Sequence, residues 1–206
     1  MEPFLNITGF MLIMLNPFLV VIYLLDLIEK MSFSTFWREL RKAAYISAGV
    51  FAVFALLGDA IFSADFKQHF ASFQIFGGIV FLLIGIQFMF RGNMAIESLR
   101  GESEYAAGSI AMPILIGPGT ISASVLAGER LDMALSVLAV VTAVVISALT
   151  IALLKKLHDY VRPRNEILIQ RYIEVAGRVV SLFVGSVSVE MIMQGAQTWI
   201  SVIRNG

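Results

Sequence analysis

Apolar residues run through this chain in long blocks, and its charged residues gather between them. Six blocks reach the length that spans about 30 Å of hydrocarbon at about 1.5 Å per helical residue: Ile7–Ile28, Ala43–Ala64, Phe70–Phe90, Gly108–Ala127, Met133–Leu154 and Val179–Ile203. Each is predicted to be a transmembrane helix. The first is too long for a signal-peptide core and has no basic residue before it, so it reads as a retained span.

Two of the blocks carry a proline near mid-depth, at Asn16-Pro17 and at Gly117-Pro118-Gly119. A mid-helix proline removes a backbone donor and clashes with the carbonyl four residues earlier, so blocks 1 and 4 are predicted to be broken helices. Blocks 3 and 6 also correspond. Sliding one onto the other sets Gly78 on Ser181, Gly85 on Ser188, Gln87 on Glu190 and Gly92 on Gly195. The expected architecture is therefore an all-α membrane protein, a single transmembrane domain over 1–206 made of two three-helix repeats, 1–92 and 106–206. Because three is odd, the second repeat enters the membrane inverted, the arrangement of many secondary transporters. The polar stretch from Glu97 to Tyr105 is its connector.

Composition agrees with lipid as the solvent: 58% of the 206 residues are hydrophobic and 15% charged, where soluble domains carry about a quarter. Twelve of the fifteen Lys and Arg fall in the odd-numbered loops, which places those loops in the cytoplasm and both termini outside it. A formal net charge of zero argues against nucleic acid as a partner, and the absence of cysteine excludes thiolate chemistry. Phe33, Phe36 and Trp37 beside Arg38 to Lys42 read equally as an interfacial segment or an ordinary aromatic-belt loop.

Candidate chemistry concentrates at the breaks. Pro17 leaves the Ile13 carbonyl without its helical donor, and Pro118 does the same to Ile114. A half-helix beginning near Thr120 offers amide donors and a positive dipole end to an anion such as a carboxylate, with hydroxyls from Thr120, Ser122 and Ser124 and with Asn16 opposite. Against this stands a plain kink lined by small residues for close packing. Glu190 is a carboxyl group near mid-membrane, which by its cost is a functional candidate: a proton carrier or a Na⁺ ligand, the alternative being a hydrogen-bonded core group. On a helical wheel Ser186, Glu190 and Gln197 share one face, expected to line a cavity, while Gly177, Ser181, Gly185 and Ser188 share the packing face. Gln87 is its repeat counterpart. His69 and His158 fall in predicted loops on opposite sides, so no enzyme centre, metal site or cofactor is expected.

The segments "LNPFLVV", "GGIVFLLIGIQFMF", "IAMPILIGPGTIS" and "GRVVSLFVGSVSVEMIMQG" together resemble the MarC, or neutral amino acid transporter, family across nearly the whole chain. The resemblance implies a six-span inner-membrane protein that transports small neutral amino acids such as glycine and alanine; the family's antibiotic-resistance locus name implies no role in resistance. The broken helices are where substrate contacts are expected, at Asn16, Pro17, Gly117, Pro118, Gly119, Thr120 and Ser122, with ion coupling, to H⁺ or Na⁺, expected at Glu190 and Gln87. The chain departs from the family pattern in three places. Phe18-Leu19 stand where a glycine follows Asn-Pro, Gln87 stands where the third span has Asp, and Glu190 stands where the sixth has Gln. The expected function is alternating-access transport, with the lipid bilayer as partner and an oligomer left open. An exporter of another metabolite or drug, a channel and a structural envelope subunit are the alternatives.

Overall fold

The computed structural model describes residues 2–61, 67–91, 115–163 and 166–205, and these form eight helices. They are α1 (Glu2–Leu15), α2 (Pro17–Tyr23), α3 (Leu25–Lys30), α4 (Phe33–Ile61), α5 (Lys67–Arg91), α6 (Pro118–Arg130), α7 (Met133–Val161) and α8 (Glu166–Asn205). Among the described residues there is no strand.

Among the described residues three stretches are long and apolar enough to cross a membrane, Phe33–Leu57, Met133–Val161 and Gly177–Ser201; Glu2–Leu15 and Ala71–Gln87 are shorter apolar segments. The six predicted spans, the first and fourth of them broken, are thus not all present at spanning length among the described residues. The breaks account for blocks 1 and 4. Block 1 is divided into α1, α2 and α3 at Asn16 and Leu24, and the described part of block 4 is the 13-residue α6. Residues 108–114 of block 4, Gly92 and the Glu97 to Tyr105 connector lie outside the described residues.

Local chemistry sets the helix ends. Asp132 caps α7, its carboxylate accepting from the amides of Ala134 and Leu135 at 3.1 and 3.0 Å. The Arg38 to Lys42 stretch is the opening of α4 rather than a separate interfacial element: Phe36 and Leu40 are buried, Arg41 lies 5.7 Å from the Trp37 ring centre, and Lys42 pairs with Glu39 at 3.0 Å. His158 and His69 stand in α7 and α5, not in loops, because the apolar helices continue past the blocks that their hydropathy defines.

The helices sort into two bodies by their packing. In the larger, α4 lies against α6 and α7, α1 lies against α7 and α6, and α2 lies against α7. Its core is built from Met11, Leu24, Phe36, Phe51, Val140 and Ile151, all fully buried. The second body is the antiparallel pair α5 and α8, which meets the first through α6, α2 and α7. Close approach there depends on small residues seven apart. A Cβ on Gly78 would sit 2.8 Å from the Ser188 carbonyl oxygen, one on Gly195 2.8 Å from that of Ala71, and one on Gly85 3.3 Å from that of Ser181. Outward-facing Tyr45, Phe90, Leu153 and Val175 are more than half exposed, as a lipid-facing surface requires.

One basic residue behaves unexpectedly. Lys155, read from sequence as a loop charge, is 2% exposed on α7; its Nζ donates to the Ile28 carbonyl and to Asp159 Oδ1, both at 2.6 Å. It therefore caps the last turn of α3 from a different part of the chain.

Candidate functional site

The two breaks meet. α1 ends at Leu15, α2 starts at Pro17, and Asn16 between them holds φ at +38°, the left-handed region that asparagine tolerates better than most residues. Its amide still donates to Leu12 and its carbonyl accepts from Val20, so the chain turns without abandoning its neighbouring hydrogen bonds. Pro17 takes the first position of α2, where its missing N–H costs least. An Asn16→Val variant should melt below an Asn16→Gly variant by an amount corresponding to about 1–3 kcal/mol, because only the branched side chain resists this backbone conformation; thermal unfolding in detergent checks it.

At the second break Gly117 is the N-cap of α6 and Pro118 follows it, two residues earlier than the predicted start near Thr120. Thr120 closes this end. Its Oγ1 accepts from the Gly117 amide at 2.9 Å and lies 2.9 Å from the carbonyl oxygens of both Leu115 and Gly117, which share its proton. Ile121 then donates to the Gly117 carbonyl, the first regular bond of the helix. Of the four leading amides of α6, one belongs to the cap, proline supplies none, and those of Gly119 and Thr120 are the two that helix geometry leaves without an intrahelical acceptor. Ser124 donates to the Thr120 carbonyl at 2.7 Å, so its hydroxyl is used inside the helix.

A cavity of about 40 Å³ lies between the breaks and the α5–α8 pair. Ile13, Met14, Leu15 and Asn16 form one wall, and Leu115, Gly117, Gly119 and Thr120 form a second. Phe81 from α5, with Phe183, Val184, Val187 and Met191 from α8, forms the third. One side is therefore backbone-rich and polar, and the other is apolar and soft. Gly119 stands between two sulfurs: a Cβ there would lie 3.5 Å from Met14 Sδ and 3.8 Å from Met191 Sδ, ordinary contact that keeps the space open for backbone but closes it to larger side chains.

Of the residues predicted for the site, Asn16, Gly117, Gly119 and Thr120 line the cavity. Pro17 and Pro118 make the breaks, and the side chain of Pro118 is outside the described set. Ser122 is half-buried but is not part of the lining. Glu190 and Gln87, the residues expected to couple an ion, are not among those that line this cavity. Glu190 is exposed, with Oε1 accepting from Gln194 Nε2 at 2.8 Å. The reason is angular: about 100° per residue separates Glu190 from Met191, and it is the Met191 side of the helix that faces the break. On the predicted packing face Gly177, Ser181 and Ser188 are buried, and Gly185 is half-buried. The apolar wall of Phe183, Val187 and Met191 was missed, although its four-residue spacing is visible in the sequence.

Comparison with known proteins places the chain among membrane proteins. A UPF0056 membrane protein of Methanocaldococcus jannaschii is 29% identical over 194 residues, covering 88% of this chain and 89% of its own length. A UPF0056 membrane protein of Archaeoglobus fulgidus is 26% identical over 172 residues, covering 79% and 78%. No solved structure matches the chain. The sequence profile of the MarC family of integral membrane proteins matches residues 1–200, so the chain, a multi-pass protein of the membrane, belongs to the MarC family.

Proposed function

We propose that the protein is a secondary transporter of small neutral amino acids, working by alternating access across the inner membrane with both termini outside the cytoplasm. The observation that carries this reading is the cavity between the two helix breaks. The amides of Gly119 and Thr120, at the positive end of α6, suit the cargo carboxylate. The carbonyl of Ile13, whose helical donor would have come from Pro17, suits its ammonium group. The soft wall of Met191, Val187 and Phe81 receives a small side chain. A volume of about 40 Å³ holds roughly three waters at ~10–15 Å³ each. Cargo entry therefore needs the α5–α8 pair to withdraw from the breaks.

Packing supports two inverted repeats of three helices. Exchanging the halves turns the α4–α6 contact into the α7–α2 contact, and the α5–α6 contact into the α8–α2 contact, both of which occur. The predicted correspondence of Gly78 with Ser181 and Gly85 with Ser188 likewise exchanges Gly85–Ser181 with Gly78–Ser188, and both contacts occur. A two-fold axis between antiparallel helices produces such crosswise pairs.

The test is uptake of labelled alanine and glycine into proteoliposomes, with and without H⁺ or Na⁺ gradients, followed by counterflow. Saturable uptake with trans-stimulation is expected, where a channel gives none. Gly119→Leu should cut uptake about tenfold or more, equivalent to ~1.4 kcal/mol or more of lost cargo binding, while its melting temperature stays near that of the parent. Unchanged uptake in that variant would place the cargo elsewhere.

A further inference from the structure

The exposed edge of α8 is polar where lipid should lie. Ser186, Glu190, Gln194, Gln197 and Ser201 are all exposed, and steps of four, four, three and four residues keep them within a band about 80° wide at 100° per residue. Glu190 falls near the centre of the apolar stretch Gly177–Ser201. On one flank Val189, Met193 and Ile200 are each more than half exposed, so the band borders the lipid-facing surface. Carboxyl and amide groups at that depth demand partners.

The helix itself satisfies only part of that demand. The hydroxyls of Ser186 and Ser201 donate to carbonyls of their own helix, Leu182 and Thr198, at 3.0 and 2.7 Å. Glu190 Oε1 takes one N–H of Gln194. The second carboxyl oxygen of Glu190, and the other N–H and the carbonyl of Gln194, retain bonding capacity, and the amide of Gln197 extends the same edge one turn further. The edge thus carries both acceptors and donors, one turn apart, and is complementary to itself.

A bilayer holds every copy of a chain in one orientation, so a two-fold axis along the membrane normal brings two α8 helices together in parallel, each residue opposite its own counterpart. The spacing suits that geometry: Glu190 and Gln197 are seven residues apart, as are Gln194 and Ser201, the heptad period of parallel paired helices. We propose that this polar edge of α8 is the seam on which a second copy of the chain docks, the Glu190 carboxyl of each copy bonding the Gln194 amide of the other.

The chain has no cysteine, so a disulfide test has no background. Facing positions on a parallel two-fold seam bring Cα atoms to within the ~7 Å that a disulfide needs. Gln197→Cys, oxidised in membranes, should give mostly cross-linked dimer, whereas Val145→Cys, on the lipid-facing side of α7, should stay monomeric. In parallel, step-counting photobleaching of labelled protein in bilayers should show two steps for the parent and one for the Glu190→Leu/Gln194→Leu variant. Equal cross-linking at both cysteines, no cross-linking at position 197, or one-step bleaching of the parent would overturn the proposal. So would modification of Gln197→Cys by a membrane-impermeant thiol reagent in a monomer, which would make the edge a water-filled path.

Discussion

Alanine at Gly128 should prevent α4 from closing onto α6 and leave little folded protein. A Cβ at that position would overlap the Ala55 carbonyl oxygen and lie 2.9 Å from its carbon. Both are backbone atoms inside helices, so no side-chain rotation relieves the overlap and the helices must separate. Overpacking in a core costs about 1–3 kcal/mol when side chains can adjust, and a backbone clash sits at or beyond the top of that range. Gly49, on the same helix as Ala55, has nothing within 4 Å of its own added Cβ. Gly49→Ala should therefore be neutral or gain up to ~1 kcal/mol from helix propensity. Melting temperatures and the monodisperse fraction on size exclusion compare the two; a Gly128→Ala protein that melts with the parent would show that the α4–α6 contact is looser than described.

The second large effect is expected at Thr120. Valine has nearly its shape but no hydroxyl, so Thr120→Val strips the Gly117 amide of its acceptor and the carbonyls of Leu115 and Gly117 of a shared donor. The residue is 5% exposed, where water does not readily replace the lost bonds. Each buried group left unpaired costs about 1–3 kcal/mol, and the backbone that shifts to recover them is the cavity wall. Thr120→Val should lower both the melting temperature and any uptake activity, and Thr120→Ser should preserve both. Equal behaviour of the two variants would mean that the hydroxyl does not hold the break.

The breaks were legible because proline and glycine act on the backbone where they stand: Asn16-Pro17 and Gly117-Pro118-Gly119 required no knowledge of neighbours. The small residues of α5 and α8 were legible as a pattern, and their period of seven proved to be that of a packing seam. The direction of Glu190 was not legible. Periodicity separates a polar face from a packed one, but it does not say whether the polar face looks into a cavity or out to lipid; that depends on the neighbour that Met191 finds. Lys155 was hidden for a related reason, since its partner is a carbonyl of α3 that no local pattern connects to it. Thr120 was assigned to the cargo as a hydroxyl donor, whereas its proton is committed to the backbone of the break.

The clamp of Lys155 on Ile28 also fixes an order of events during synthesis. The two residues are 127 positions apart, roughly 6–25 s of elongation at about 5–20 residues per second. Through that interval α3, at six residues, is far too short to hold its last turn unaided. The same wait applies to α1, whose packing partners α6 and α7 both belong to the later part of the chain. An apolar segment that leaves the ribosome well before its partners is thus among the last to find its place. It must be kept in the bilayer, or by the insertion machinery, with its break unfinished until α7 arrives.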